Sequence, residues 1–100
     1  MKIDGICAEV DQIFQKKARK LRIVPRLDLH LIENASIVDA FVYGEAFPDQ
    51  NRVWLEIVAF DASIQEITEI ICHELIHIKF PKISHDCIEF DEKMKACMQD

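Results

Sequence analysis

The stretch His73-Glu74-Leu75-Ile76-His77 sets two imidazoles four residues apart, with a carboxylate directly after the first. On a helix, residues at i and i+4 share a face, so both imidazoles can converge on one metal ion. Glu74 is rotated by about 100° from His73. It is offset from the metal line, yet near enough to hydrogen-bond a water that the metal polarises. Zinc lowers the pKa of such a water towards about 7, and a carboxylate can then take its proton during attack on a carbonyl. The pattern predicts Zn2+ as cofactor, His73 and His77 as ligands, and Glu74 as the general base of peptide-bond hydrolysis.

A catalytic zinc site takes three protein ligands and leaves one position for water. His85 is the third ligand expected. It lies eight residues after His77, beyond a helix stop at Pro81 and at the start of a last helix, and the intervening chain is long enough to turn back. Glu89, four residues after His85, is its rival, and Asp86 could orient a histidine from behind.

These side chains need a helix to present them. Ser63-Ile64-Gln65-Glu66 reads as a capping box, with Ser63 as N-cap and Glu66 reaching back to it. The helix is predicted to run to about Phe80 and to stop before Pro81. With Ile64 as origin, Ile67, Ile71, Leu75 and Ile78 fall within about 60° of it and form a core stripe. His73 and His77 fall at about 180° and 220°, on a face that would look into a cleft.

The remaining elements follow from periodicity. Residues 4–23 read as an amphipathic helix, with Ile3, Cys7, Val10, Phe14 and Leu21 on its inner face and Pro25 helping to set its end. Residues 26–33 alternate, with Leu27, Leu29 and Leu31 on one side and Asp28 and His30 on the other, as in a half-buried strand. Residues 36–47 and 52–60 read as two more strands. The turn residues Pro48-Asp49-Gln50-Asn51 between them predict an antiparallel hairpin. A last helix is predicted from Ser84 as N-cap, with Phe90, Met94 and Cys97 inward. Helix, three strands and two helices make an α+β fold. A chain of 100 residues is one domain, 1–100, and a bound metal would help to staple so small a core.

At these residues the chain resembles a zincin metallopeptidase. The longer stretch from His73 to Asp86, with Phe90 following, resembles the minigluzincins, single-domain relatives of the gluzincin peptidases about as long as this chain. The His85-Asp86 pair is also similar to the WLM and SprT-like proteases. The resemblance implies a helix, a small sheet, a motif helix and a closing helix, with His85 as third ligand. A metzincin would carry glycine and histidine where Phe80 and Ile83 stand. A standard gluzincin would draw a glutamate from a later helix, which only Glu89 or Glu92 could supply. SprT-like and WLM proteins usually have a shorter gap to the third histidine. Minigluzincins are known as latent forms, which implies a C-terminal segment that blocks the cleft within one chain or across a homodimer. Here that segment ends at Met98-Gln99-Asp100, and Asp100 or Cys97 would take the open zinc position.

Other residues read more plainly. Tyr43 could donate to a developing oxyanion, but a strand tyrosine is more often half-buried packing. Trp54 reads as a core or interface anchor and His30 as exposed. Cys72 and Cys87 read as packing residues, and the four cysteines together as buried thiols. The net charge of −6 leaves no basic field for nucleic acid. The one basic run, Lys16 to Arg22, reads as the solvated face of a helix. No targeting segment or long apolar run stands out, so a soluble cytoplasmic protein without a membrane partner is expected. The function expected is a zinc metallopeptidase acting on a peptide or protein substrate, with Glu74 as the feature that binding alone would not require. The alternative is a zinc-stabilised interaction module without turnover, dimeric in form. A regulatory protease that cuts one dedicated partner is a third reading.

Overall fold

The computed structural model describes residues 3–32, 41–58 and 63–99, with the side chains of 3–7, 32, 41, 42 and 58 outside the description. It is an α+β fold of three helices and one three-stranded mixed sheet. Helix α1 (Ile3–Leu21) is followed by strands β1 (Arg26–Ile32), β2 (Phe41–Phe47) and β3 (Arg52–Val58), then helices α2 (Ile64–Lys79) and α3 (Ile88–Met98). Among the described residues no helix is long and apolar enough to cross a membrane.

The sheet order is β1-β3-β2. The expected hairpin is present: β2 and β3 pair antiparallel, with Phe47 opposite Arg52. A single 3-10 turn at Pro48–Gln50 joins them, closed by Asn51 in the left-handed region at φ 49°. Asparagine tolerates that conformation because its short amide bonds locally. Here Asn51 Nδ2 donates to the Val24 carbonyl at 3.0 Å, and the Asn51 carbonyl accepts from Arg26 N at 2.8 Å. One residue thus ties the hairpin to the start of β1. That strand runs parallel to β3 on its other side. The outer parts of the predicted strands, 33, 36–40, 59 and 60, lie outside the described residues.

Alternation along β3 points Val53, Leu55 and Ile57 into the core, where they meet Val10, Phe14 and Ala18 of α1 and Ile67, Ile71 and Leu75 of α2. Trp54 takes the opposite face. It is not a core residue but stacks on exposed His30 with ring centres 3.9 Å apart. Ile64 leaves the expected core stripe: it opens α2 beyond the edge of the packing and is 38% exposed.

Helix α1 stops two residues before the expected end. Arg22 adopts φ 61°, and Ile23 N donates to the Ala18 carbonyl at 3.0 Å, a Schellman closure that leaves Pro25 no part in ending the helix. The basic run is not wholly solvated either. Lys17 is only 3% exposed, because it falls on the inward side between Phe14 and Ala18. Its Nζ donates to the Cys97 carbonyl at 2.6 Å, and Lys20 Nζ donates to the Gln99 carbonyl. Two ammonium groups therefore satisfy carbonyls that the end of α3 would leave bare, where the helix dipole also favours positive charge.

Across the outer sheet face, Arg52 donates to Asp28 at 2.7 Å and lies over the Phe47 ring at 4.4 Å. The Arg52 hydrogen bond, opposed by partial desolvation and helped by the charge of Arg26, holds the Asp28 carboxyl below its ordinary 3.8. A depressed carboxyl stabilises the fold above its unfolded pKa and loses that contribution as pH falls through the folded one. Asp28→Asn is therefore expected to lower the urea midpoint at neutral pH, and the gap from wild type should close as pH falls below 3.8.

Candidate metal centre

Helix α2 begins where expected. Ser63 Oγ accepts from Glu66 N at 3.1 Å, which satisfies one of the amides a helix start leaves free. From there the helix is enclosed on three sides. Ile67, Ile71 and Leu75 face α1 and β3. Cys72 and Ile76, at about 80° and 120° from Ile64, face α3 and pack with Phe90 and Cys97. Ile70 and Glu74, at about 240° and 280°, face β2. There Gly44 comes so close that an added Cβ would sit 2.6 Å from Ile70 Cγ2 and 2.9 Å from Glu74 Cγ. The remaining side carries His73 and His77, which are half-buried and line a cleft.

The two imidazoles meet, with Nε2 atoms 3.1 Å apart. His73 Nε2 is 3.8 Å from Glu74 Oε1. One ligand atom from each of His73, Glu74 and His77 lies within 4.8 Å of the other two, so the three could hold a metal ion. The nitrogen separation fits zinc. Two ligands at Zn–N of about 2.0–2.1 Å in tetrahedral geometry stand about 3.3 Å apart.

Electrostatics favour the ligating forms. Burial lowers the pKa of both histidines, with the neighbouring histidines adding to it, so each is a neutral imidazole with a lone pair near neutral pH. Glu74 is 7% exposed. Burial, and then the charge of Glu45, push its carboxyl up to about 7. With the histidine neutral and the carboxyl raised, the approach of His73 to Glu74 is not an ion pair at neutral pH.

His85 arrives by a different route from the one expected. The last helix starts at Ile88 with Cys87 as N-cap, three residues late. Ser84 caps a turn instead: its Oγ accepts from Asp86 N at 3.3 Å, and its carbonyl accepts from Cys87 N at 3.2 Å. His85 therefore sits on a loop with its side chain 61% exposed. Its ring centre is 6.1 Å from that of His73 and 5.9 Å from that of His77, and it stands outside the tight three-residue group. The loop placement also removes the shared helical face with Glu89, which is exposed in the first turn of α3. Asp86 Oδ1 lies 3.8 Å from His85 Nε2, too far for a hydrogen bond.

Phe90 holds the three rings in place. It is buried, with its ring centre 4.9 Å from His73, 5.0 Å from His77 and 6.5 Å from His85. The histidines open onto a cleft of about 330 Å³. Gly44, Glu45 and Ala46 of β2 form one wall, and Pro48, Pro81 and His85 close its ends. Sequence reasoning placed Phe90 inward, as observed, but did not foresee its packing against the histidines, nor did it single out Gly44 or Glu45. A lone glycine inside a strand signals close backbone approach, and Gly44 is that signal. Glu45 gave no comparable sign.

Tyr43 belongs to β2 but not to the cleft wall. Its hydroxyl donates to Glu45 at 3.4 Å, and the Glu45 charge raises its pKa. Cys97 is packed against Cys72 on the α3 flank of α2, so within one chain it does not stand at the histidines. Asp100 lies outside the described residues. Comparison with known protein families, curated proteins and solved structures finds no match.

His73→Ala or His77→Ala should abolish binding of a transition-metal ion, and His85→Ala should weaken it, as read by metal content after dialysis against trace zinc. Gly44→Ala should force α2 away from β2 at about 1–3 kcal/mol, the usual penalty of overpacking, measured by urea unfolding.

Proposed function

We propose that this chain is a zinc-dependent metallopeptidase with a minimal zincin-like domain, similar to the minigluzincins. The observation that supports it most is Glu74. A metal site that only staples a fold has no use for a buried carboxylate beside its imidazoles. A hydrolytic site needs a base beside the metal-bound water, and Glu74 is a buried carboxylate with Oε1 3.8 Å from His73 Nε2.

In this reading His73, His77 and His85 hold the ion, and three imidazoles suit zinc. A bound zinc ion supplies Lewis-acid polarisation and makes water a nucleophile at neutral pH. The protein's own groups do the rest. Glu74 takes the proton of the attacking water and passes it to the departing amine. Phe90 keeps the imidazoles oriented and dry on their inner side. Among the described residues β2 is an edge strand of the sheet, and an extended peptide can add to it along the cleft wall. Strand β3 offers no such edge, because it is paired on both sides.

Glu74→Gln separates this reading from a zinc-stabilised module without turnover. The zinc-loaded variant is expected to keep its metal stoichiometry. Its cleavage of an unstructured protein such as reduced casein should fall by about 10²–10⁴-fold, the share a general base contributes. Equal cleavage by variant and wild type would overturn the assignment of Glu74. Zinc binding with no cleavage by wild type, across a broad peptide mixture, would favour the non-catalytic module.

A further inference from the structure

The packing of α2 against α3 buries a second pair of reactive groups, which the metal centre does not use. Cys72 and Cys97 are both free and buried, and they share one small buried cluster with Ile76 and Phe90. Two ammonium groups converge on the same place: Lys17 and Lys20 donate to the Cys97 carbonyl at 2.6 and 3.5 Å. Cys97 also lines a cavity of about 230 Å³. Leu21, Phe80 and Ala96 form its apolar walls, and Lys20 and Lys93 are its charged groups. A water molecule takes about 30 Å³, so a small oxidant fits.

We propose that Cys72 and Cys97 are an oxidisable dithiol, a modification site at which a peroxide joins α2 to α3 through a disulfide. A buried thiol that only packs is inert, and an isolated one is held protonated by its apolar surroundings. Cys97 differs. The hydrogen bond from Cys72, and the charges of Lys17 and Lys20, lower its pKa against the effect of burial. It is also the member of the pair that borders the cavity. Cys97 is therefore the attacking thiol and Cys72 the resolving one.

The chemistry balances with a peroxide as the sole co-reactant. The Cys97 thiolate attacks one oxygen of hydrogen peroxide and the O–O bond breaks. The other oxygen leaves as hydroxide and takes a proton to become water, while Cys97 becomes a sulfenic acid. The Cys72 sulfur then attacks the Cys97 sulfur. The S–S bond forms, the S–O bond breaks, and the departing hydroxide leaves with the Cys72 proton as a second water. Two thiols give up two electrons and two protons, and one peroxide is reduced to two waters.

The test uses the reduced 100-residue chain and one molar equivalent of hydrogen peroxide. Remaining thiols are alkylated after unfolding, and the protein is digested without reductant for mass spectrometry. The expected product is a cross-linked peptide pair carrying Cys72 and Cys97, lighter by two hydrogens, with free thiols falling from four to two. Recovery of Cys72 and Cys97 as alkylated thiols, whatever happens at Cys7 or Cys87, would overturn the proposal. So would a Cys97 sulfinate beside a free Cys72. Cys72→Ser adds a second arm that needs no cross-link: Cys97 should stop at the sulfenic acid and be captured by a cyclic 1,3-diketone. Cys97→Ser should leave Cys72 unlabelled, and label on Cys72 would reverse the assigned roles. If either variant fails to fold, the wild-type cross-link decides.

Discussion

Everything in this small domain depends on the packing of α2 on three of its faces at once. A chain of this length has one core to build, and burial of apolar surface is its main favourable term. Helix α2 supplies a face to each of α1 with β3, β2, and α3. Among the described residues, the face left over lets polar side chains in the second half of the helix meet the cleft without being pressed into packing. His73 and His77 occupy it. Their convergence is a result of the helix being held on its other sides, not of attraction between two imidazoles.

That packing also sets the chemistry of Glu74. Where Gly44 lets β2 approach, the strand backbone closes over the carboxylate and strips it of water. Burial disfavours the charged form, and Glu45 across the cleft adds a like charge. The same dryness keeps His73 and His77 neutral. Each effect weighs against the stability of the empty fold, and each prepares the groups to bind a cation and move a proton. Such sites are where local stability and function pull in opposite directions.

The far end of α3 shows a parallel solution with opposite charge. Lys17 is drawn into the core side of α1, and its ammonium finds the carbonyls at the end of α3. A lysine stem packs as an apolar chain while its head needs acceptors, and a helix C-terminus offers them. This joins the first helix to the last and brings positive charge to the Cys72–Cys97 pair.

The sequence by itself determined the local features. Period-two alternation identified β1 and β3, the turn residues after Phe47 identified the hairpin, and Ser63 marked the start of α2, because each of these is decided within a few residues. It also placed His73 and His77 on one face, since i and i+4 spacing needs nothing beyond the helix itself. What depends on distant parts of the chain was decided by tertiary structure alone. The order β1-β3-β2 makes β2 the cleft wall and brings Gly44 and Glu45 to Glu74. Ser84 closes a turn instead of capping a helix, so His85 comes to the other histidines from a loop. A serine side chain bonds equally well in either setting, and only packing against Phe90 and α2 chooses between them. Lys17 read as solvated because its acceptors lie eighty residues away, and no local pattern records a partner at that distance.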